Sequence, residues 1–176
     1  MNAPRQYHYA FSQEPGETTL AILGELPERW GRMVPLARGV LVESGRTLQQ
    51  KGLLEKGRKQ NEQGRSIGLI GASRHGSLAT DQDFARGLKL GYSFASPALF
   101  GYTLANIPLA EAANHFGLTG PVYGLLESDS PLETATEEAH RLLDAGGIDC
   151  MLACSFDTIR HHDHEDGLEI TFTLVN

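Results

Sequence analysis

Ser128, Asp129 and Ser130, with Glu127 just before them, are the residues of this chain best suited by type to do chemistry. They lie between an apolar run, Val122 to Leu126, and a helix-like stretch that opens at Pro131. A strand-to-helix junction suits a nucleophile, because the unpaired N–H groups of a helix's first turn stabilise a developing anion. A serine there acts only with a base beside it. The carboxylates of Glu127 and Asp129 are the candidates for that role. The plainer reading is capping. Ser and Asp satisfy the first amides of a proline-initiated helix, and Glu133 stands three residues beyond Ser130, as in a capping box.

Three other groups carry candidate chemistry. Cys150 and Cys154 are possible thiol nucleophiles, but a reactive thiolate needs a helix N-terminus or a cation beside it. Their even spacing in an apolar run puts them on one face of a strand, and packing is the expected role. The run His161-His162-Asp163-His164-Glu165-Asp166 offers imidazole and carboxylate donors of the kind zinc or nickel takes. Neighbouring residues of an extended chain point to opposite faces, so His161, His162 and His164 do not all converge easily. A polar hairpin loop with no metal is expected. Gly68, Gly71 and Gly76 lack the spacing of a dinucleotide fingerprint, and no cofactor is expected. His75, His115 and His140 have no serine or cysteine partner by spacing, and the last two are expected on polar helix faces.

The elements that must position these residues follow from pattern. Residues 1–18 are expected to be poorly ordered or to form a short edge strand around Tyr7 to Phe11. Thr19 to Leu23 is a short apolar run between glycines. Pro27 to Leu54 reads as mainly helical, with a kink or two shorter helices expected because Pro35 and Gly39 interrupt the pattern. Residues 55–65 form the most polar stretch and read as an exposed loop; a basic docking patch for an acidic carrier protein is the alternative. Ser66 to Ala72 is a continuous apolar run of the kind found in a sheet covered on both faces. Asp81 to Leu90 reads as a helix capped by Thr80 or Asp81, and Pro108 to Phe116 as an amphipathic helix stopped by Gly117. Val122 to Leu126 reads as a strand, Pro131 to Ala145 as a helix with proline at its first position, and Cys150 to Cys154 as a strand. Leu168 to Val175 alternates apolar with polar, a half-exposed strand. This rhythm predicts an α/β fold: a mostly parallel mixed sheet of about five strands with helices on both faces.

A chain of 176 residues supports one domain. Its net charge of −7 argues against nucleic-acid binding, which needs clustered Lys and Arg. No apolar run reaches the roughly 18 residues a membrane-spanning helix requires. The N-terminus shows no signal-peptide pattern, and two cysteines are too few for a disulfide framework. The cytoplasm is the expected location.

Four stretches, in order, carry a family resemblance that spans about Arg32 to Thr158, roughly seven-tenths of the chain. They are Ile67-Gly68-Leu69-Ile70-Gly71 ahead of Gly76-Ser77-Leu78, then Ser96-Pro97 through Asn106, then Gly117-Leu118-Thr119-Gly120-Pro121, and finally Ala145 through Ala153. Together they resemble the N-terminal half of a β-ketoacyl synthase, the condensing enzyme of fatty-acid and polyketide assembly. The resemblance implies half of a thiolase-like fold. In that family a nucleophilic cysteine follows the Gly-Pro pair by eight residues, a slot that here holds Asp129. A carboxylate forms no thioester, and the family's catalytic histidines belong to a second half. The resemblance therefore implies a subunit without catalytic residues of its own, serving fatty-acid or polyketide biosynthesis as a structural or acyl-pocket mate. A face left bare by the missing half is expected to be covered in a homodimer or in a heteromer with a condensing-enzyme chain, with an acyl-carrier protein as a further possible partner. The alternatives are an acyltransferase or decarboxylase-like enzyme using Ser128 or Ser130, and a stand-alone acyl-binding module.

Overall fold

The apolar runs become one five-stranded sheet, in the order β1-β5-β4-β2-β3. The computed structural model describes residues 5–7, 16–55, 58–160 and 166–176. The strands are β1 (Arg5–Tyr7), β2 (Ile67–Ser73), β3 (Val122–Leu126), β4 (Cys150–Ile159) and β5 (Gly167–Val175). β4, β2 and β3 pair in parallel, β5 runs antiparallel to β4, and β1 runs antiparallel to β5. Every strand but β5 therefore points the same way. The expected N-terminal edge strand is present at Arg5–Tyr7, paired with Leu168 to Ile170. The remainder of the range expected for it lies outside the described residues.

Among the described residues, six helices accompany the sheet: α1 (Glu17–Leu23), α2 (Pro35–Gln50), α3 (Leu78–Leu90), α4 (Pro97–Gly101), α5 (Ile107–Phe116) and α6 (Pro131–Asp144). Period-two alternation divides the central strands between two cores. Ile67 and Leu69 of β2, with Leu152, Cys154 and Phe156 of β4, pack in the core built with α2 and α5. Ile70 and Ala72, with Met151 and Ala153, pack in a second core against Ala135 and Ala139 of α6. Both faces of β2 are buried along its whole length, which is why its sequence reads as an unbroken apolar run.

Two expectations about the helices need correction. Pro35 does not kink a helix; it opens α2 at the first helical position, where its missing N–H costs no hydrogen bond. Gly39 lies inside α2 without breaking it. A Cβ there would stand 2.6 Å from Ile170 Cδ1, so glycine is what lets α2 lie close on β5. α3 starts at Leu78, ahead of the expected Thr80 or Asp81 cap, and the residue before it makes no side-chain cap. The Ser77 hydroxyl is held instead by Thr103 O at 2.6 Å and Asp81 Oδ2 at 3.1 Å.

Neither face of the sheet is bare. α6 covers one face, and its outward residues Glu133, Glu137, His140, Arg141 and Asp144 are charged or polar and exposed. The large apolar side chains that are exposed lie elsewhere, on α3, the turn at 92–94, α4, the segment after it and the end of β3. Leu90, Tyr92, Phe94, Phe100, Leu104 and Leu126 are all more than half exposed there.

Candidate functional site

The parallel strands β2, β3 and β4 deliver their carboxyl ends to one end of the sheet, the usual place for a site in an open α/β sheet. β3 ends at Leu126 and α6 begins at Pro131, so Glu127 to Ser130 form the connecting turn. The Glu127 backbone N–H donates to Ser73 O at 3.0 Å, which ties this turn to the end of β2. Glu127 Oε1 accepts from the Asp129 N–H at 2.8 Å, and the Ser128 hydroxyl donates to Asp129 Oδ1 at 3.2 Å. Ser128, Asp129 and Ser130 are exposed.

The capping reading of this turn fails at Ser130. Its side chain makes no cap hydrogen bond. With ψ at 62° its backbone is far from the extended conformation that aims an N-cap oxygen at the first-turn amides. The acidic side chains organise the turn instead, by Glu127 reaching the Asp129 amide.

Beside this turn the structure assembles a cluster that spacing could not reveal. Asp157 of β4 is 1% exposed and lies across from the end of β2. It accepts from the Ser73 hydroxyl at 2.7 Å, the Arg74 N–H at 3.1 Å and the His75 N–H at 3.0 Å. Ser73 Oγ in turn accepts from the Gly76 N–H at 2.7 Å. The half-exposed His75 ring stands with Nδ1 3.4 Å from Asp157 Oδ1. A serine, a histidine and a buried aspartate are thus brought together, but in an order unlike that of a nucleophile relay. Ser73 bonds to the carboxylate and not to the imidazole, so the histidine has no hydroxyl to deprotonate. The cluster fixes the β2–α3 turn, in which Gly76 takes a positive φ of 57°. A Cβ on Gly76 would stand 3.2 Å from Leu126 Cδ2, so the two strand ends touch.

The open edge of β3 is also managed. Asn106, at the start of α5, accepts from the Gly124 N–H with Oδ1 at 2.8 Å. One central edge donor is therefore occupied by a side chain.

The other candidates fall into place. Cys150 and Cys154 are both free and buried, facing the core beneath α2 and α5. Burial raises both thiols, and it pushes Cys154 far above the ordinary thiol range. These are packing residues. His115 does not sit on a polar face: it is partly buried, its Nε2 stands 3.1 Å from Leu23 O, and burial lowers its pKa. It pins α1 to the end of α5. His140 is exposed on α6. In the polar segment, Gln60 is fully buried, donating through Nε2 to Leu53 O at 2.9 Å, while Arg58 pairs with Glu55 on the surface. His161, His162 and His164, the candidate metal ligands, lie outside the described residues.

With the geometry in hand, comparison with known proteins is informative. The profile of the family described as "Beta-ketoacyl synthase, N-terminal domain" matches residues 5–169. No curated protein matches in sequence. Among solved structures, the ishigamide ketosynthase/chain length factor superposes with a TM-score of 0.65 at 18% identity, covering 92% of this chain and 48% of that one. The ketosynthase ApeO in complex with its chain length factor ApeC, from Xenorhabdus doucetiae, gives 0.57 at 15% identity, covering 86% and 61%. A β-ketoacyl synthase from Burkholderia phymatum STM815 gives 0.63 at 13% identity, covering 94% and 46%. At these identities the likeness is one of fold. The chain spans about half the length of most of these structures.

Proposed function

The chain belongs to the β-ketoacyl synthase N-terminal domain family, and we propose that within it this protein is a non-catalytic mate of a complete condensing-enzyme chain in fatty-acid or polyketide biosynthesis. The observation that carries the proposal is the apolar surface formed by α3, α4 and the end of β3. Leu90, Tyr92, Phe94, Phe100, Leu104 and Leu126 are between 60% and 91% exposed, on a chain whose net charge is −7. So many large apolar side chains exposed on neighbouring elements are unfavourable in water and favour a protein interface. It flanks β3, the strand at the sheet's edge.

The turn at 127–130 supports the non-catalytic part. Asp129 fills the slot in which the family's nucleophile is expected, and its carboxylate is solvated and engaged by Ser128. A carboxylate accepts hydrogen bonds and offers no thiol for an acyl group to join. In the complex, the exposed aromatic side chains of α4 and the 92–94 turn would lie against the partner and help shape the wall of its acyl pocket.

A second reading rests on one contact. The Ser128 hydroxyl sits 3.2 Å from a carboxylate that can act as base, the minimum an acyltransferase would need. The contact joins adjacent exposed residues, which weakens it as a preorganised pair. A stand-alone acyl-binding module is the remaining alternative, and it needs no second chain.

Native mass spectrometry of this protein mixed with a condensing enzyme from the same genome tests the proposal. A one-to-one complex is expected, weakened at least tenfold by Leu126→Asp or Leu104→Asp. A chain that stays monomeric with every condensing enzyme offered would overturn it.

A further inference from the structure

On the other side of α4 from Phe100 the structure holds a cavity of about 440 Å³ between the 30–32 turn, α4 and α5. That volume is within the usual range for small-molecule sites, roughly 300–1,000 Å³. Its polar end is built around Glu111, whose side chain is only 10% exposed. Glu111 Oε1 accepts from the Tyr102 hydroxyl at 3.0 Å and lies 3.5 Å from Arg29 Nη2. Burial and then the neighbouring Glu111 raise the Tyr102 phenol to about 12, so it remains a hydrogen-bond donor.

The balance of charge is unusual for this protein. Glu111 is the one carboxylate among the lining residues, against Arg29 and Arg32. A third guanidinium, Arg38, stands behind them, 5.3 Å from the centre of the Trp30 ring, and donates to Trp30 O at 3.0 Å. Arg32 is exposed, and its guanidinium makes no hydrogen bond or ion pair among the described residues. Arg29 uses one side of its fork on Glu111. An acidic chain therefore carries a cavity with surplus positive charge, and guanidinium forks suit oxyanions. Ala98, Gly101, Ile107 and Ala110 offer apolar surface to the rest of the lining, and Asn114 adds one side-chain amide. Close by, Trp30 Nε1 is buried with no acceptor among the described residues.

We propose that this cavity binds a small amphipathic oxyanion, its head held by Arg29 and Arg32 and its apolar tail laid along Ala98, Ile107 and Ala110. The head is a carboxylate or a phosphate, which share this recognition chemistry. The site is separate from the partner-facing surface, although both use α4, so either can fail without the other.

Trp30 is the only tryptophan of the chain and stands in the turn between the lining residues Arg29 and Arg32. Its emission is followed while octanoate, octyl phosphate, inorganic phosphate and octyl glucoside are titrated below micelle-forming concentrations. A saturable change with octanoate or octyl phosphate is expected, and the stronger of the two identifies the head group. Arg32→Gln should weaken it about tenfold, the size expected for loss of a charge-assisted hydrogen bond. Ala98→Asp should weaken it further. Both positions are exposed, so unchanged melting temperatures verify the fold of the variants. The proposal is overturned by the absence of a saturable change with either amphiphile, by an equal response to inorganic phosphate or to octyl glucoside, or by unaltered affinity in both variants.

Discussion

α6 and α3 are of similar length, each follows a parallel strand, and their surfaces differ in kind. α6 buries Ala135 and Ala139 against the sheet and turns Glu133, Glu137, Arg141 and Asp144 to water. α3 has no buried residue, and it leads into the exposed Leu90, Tyr92 and Phe94. The first helix has its inside and outside matched to core and solvent. The second exposes Leu78, Leu88 and Leu90 beside Gln82, Arg86 and Lys89, and it has no buried side. The contrast shows where the isolated chain is satisfied and where it calls for another protein.

The contrast breaks most visibly if the two helices are given the same insult. Ala139 is fully buried, so Ala139→Glu places an unpaired charge and extra volume between α6 and the sheet. A loss on the order of 4 kcal/mol is expected, measured by urea unfolding. Leu90 is 74% exposed, and Leu90→Asp should move stability by no more than about 0.5 kcal/mol. A comparable loss at both positions would mean that α3 packs more tightly than described.

The Asp157 cluster comes next in size. Asp157→Ala strands the Ser73 hydroxyl and the amides of Arg74 and His75, buried or partly so. The expected cost is on the order of 3 kcal/mol. It should appear as a melting temperature lower by about 6–12 °C for a chain of this size. A shift under about 2 °C would show that water replaces the carboxylate there.

The smallest effect concerns the charged outside of α6. Hydrogen bonds from Arg141 and then from Tyr123 hold Glu138 at about 2. Its folded pKa is depressed, so its contribution is present above the ordinary 4.5 and is lost as pH falls toward about 2. Glu138→Gln should flatten the acid limb of a melting-temperature profile in that window, and only slightly, because solvent screens the pair. An acid limb unchanged by the substitution would remove this carboxylate from the account.

Much of the fold was legible where local signals agreed with tertiary need. Gly117 with φ of 65° stops α5, and Pro131 opens α6, as their types announce. β3 was readable as five residues between Pro121 and an acidic turn. The start of α3 was not, because the Ser77 hydroxyl is spent on Thr103 O, 26 residues away. The role of Ser130 is not legible either: its ψ of 62° departs from the extended backbone an N-cap needs, and its side chain makes no cap hydrogen bond. The Ser73–Asp157 contact joins residues 84 apart, and no spacing rule reaches across that distance. The cavity around Glu111 is not legible in the sequence, because no spacing marks Arg29 and Arg32 as neighbours of α4 and α5.

The most direct test of the central claim is intact-protein mass, native and then denatured, after this chain and a condensing enzyme from the same genome are incubated with acetyl- and malonyl-thioesters. A heteromer is expected, with the acyl group found on the condensing enzyme alone. A stable acyl adduct on this chain, mapped to Ser128, Ser130, Cys150 or Cys154, would contradict the account and make the protein an acyltransferase-like enzyme in its own right.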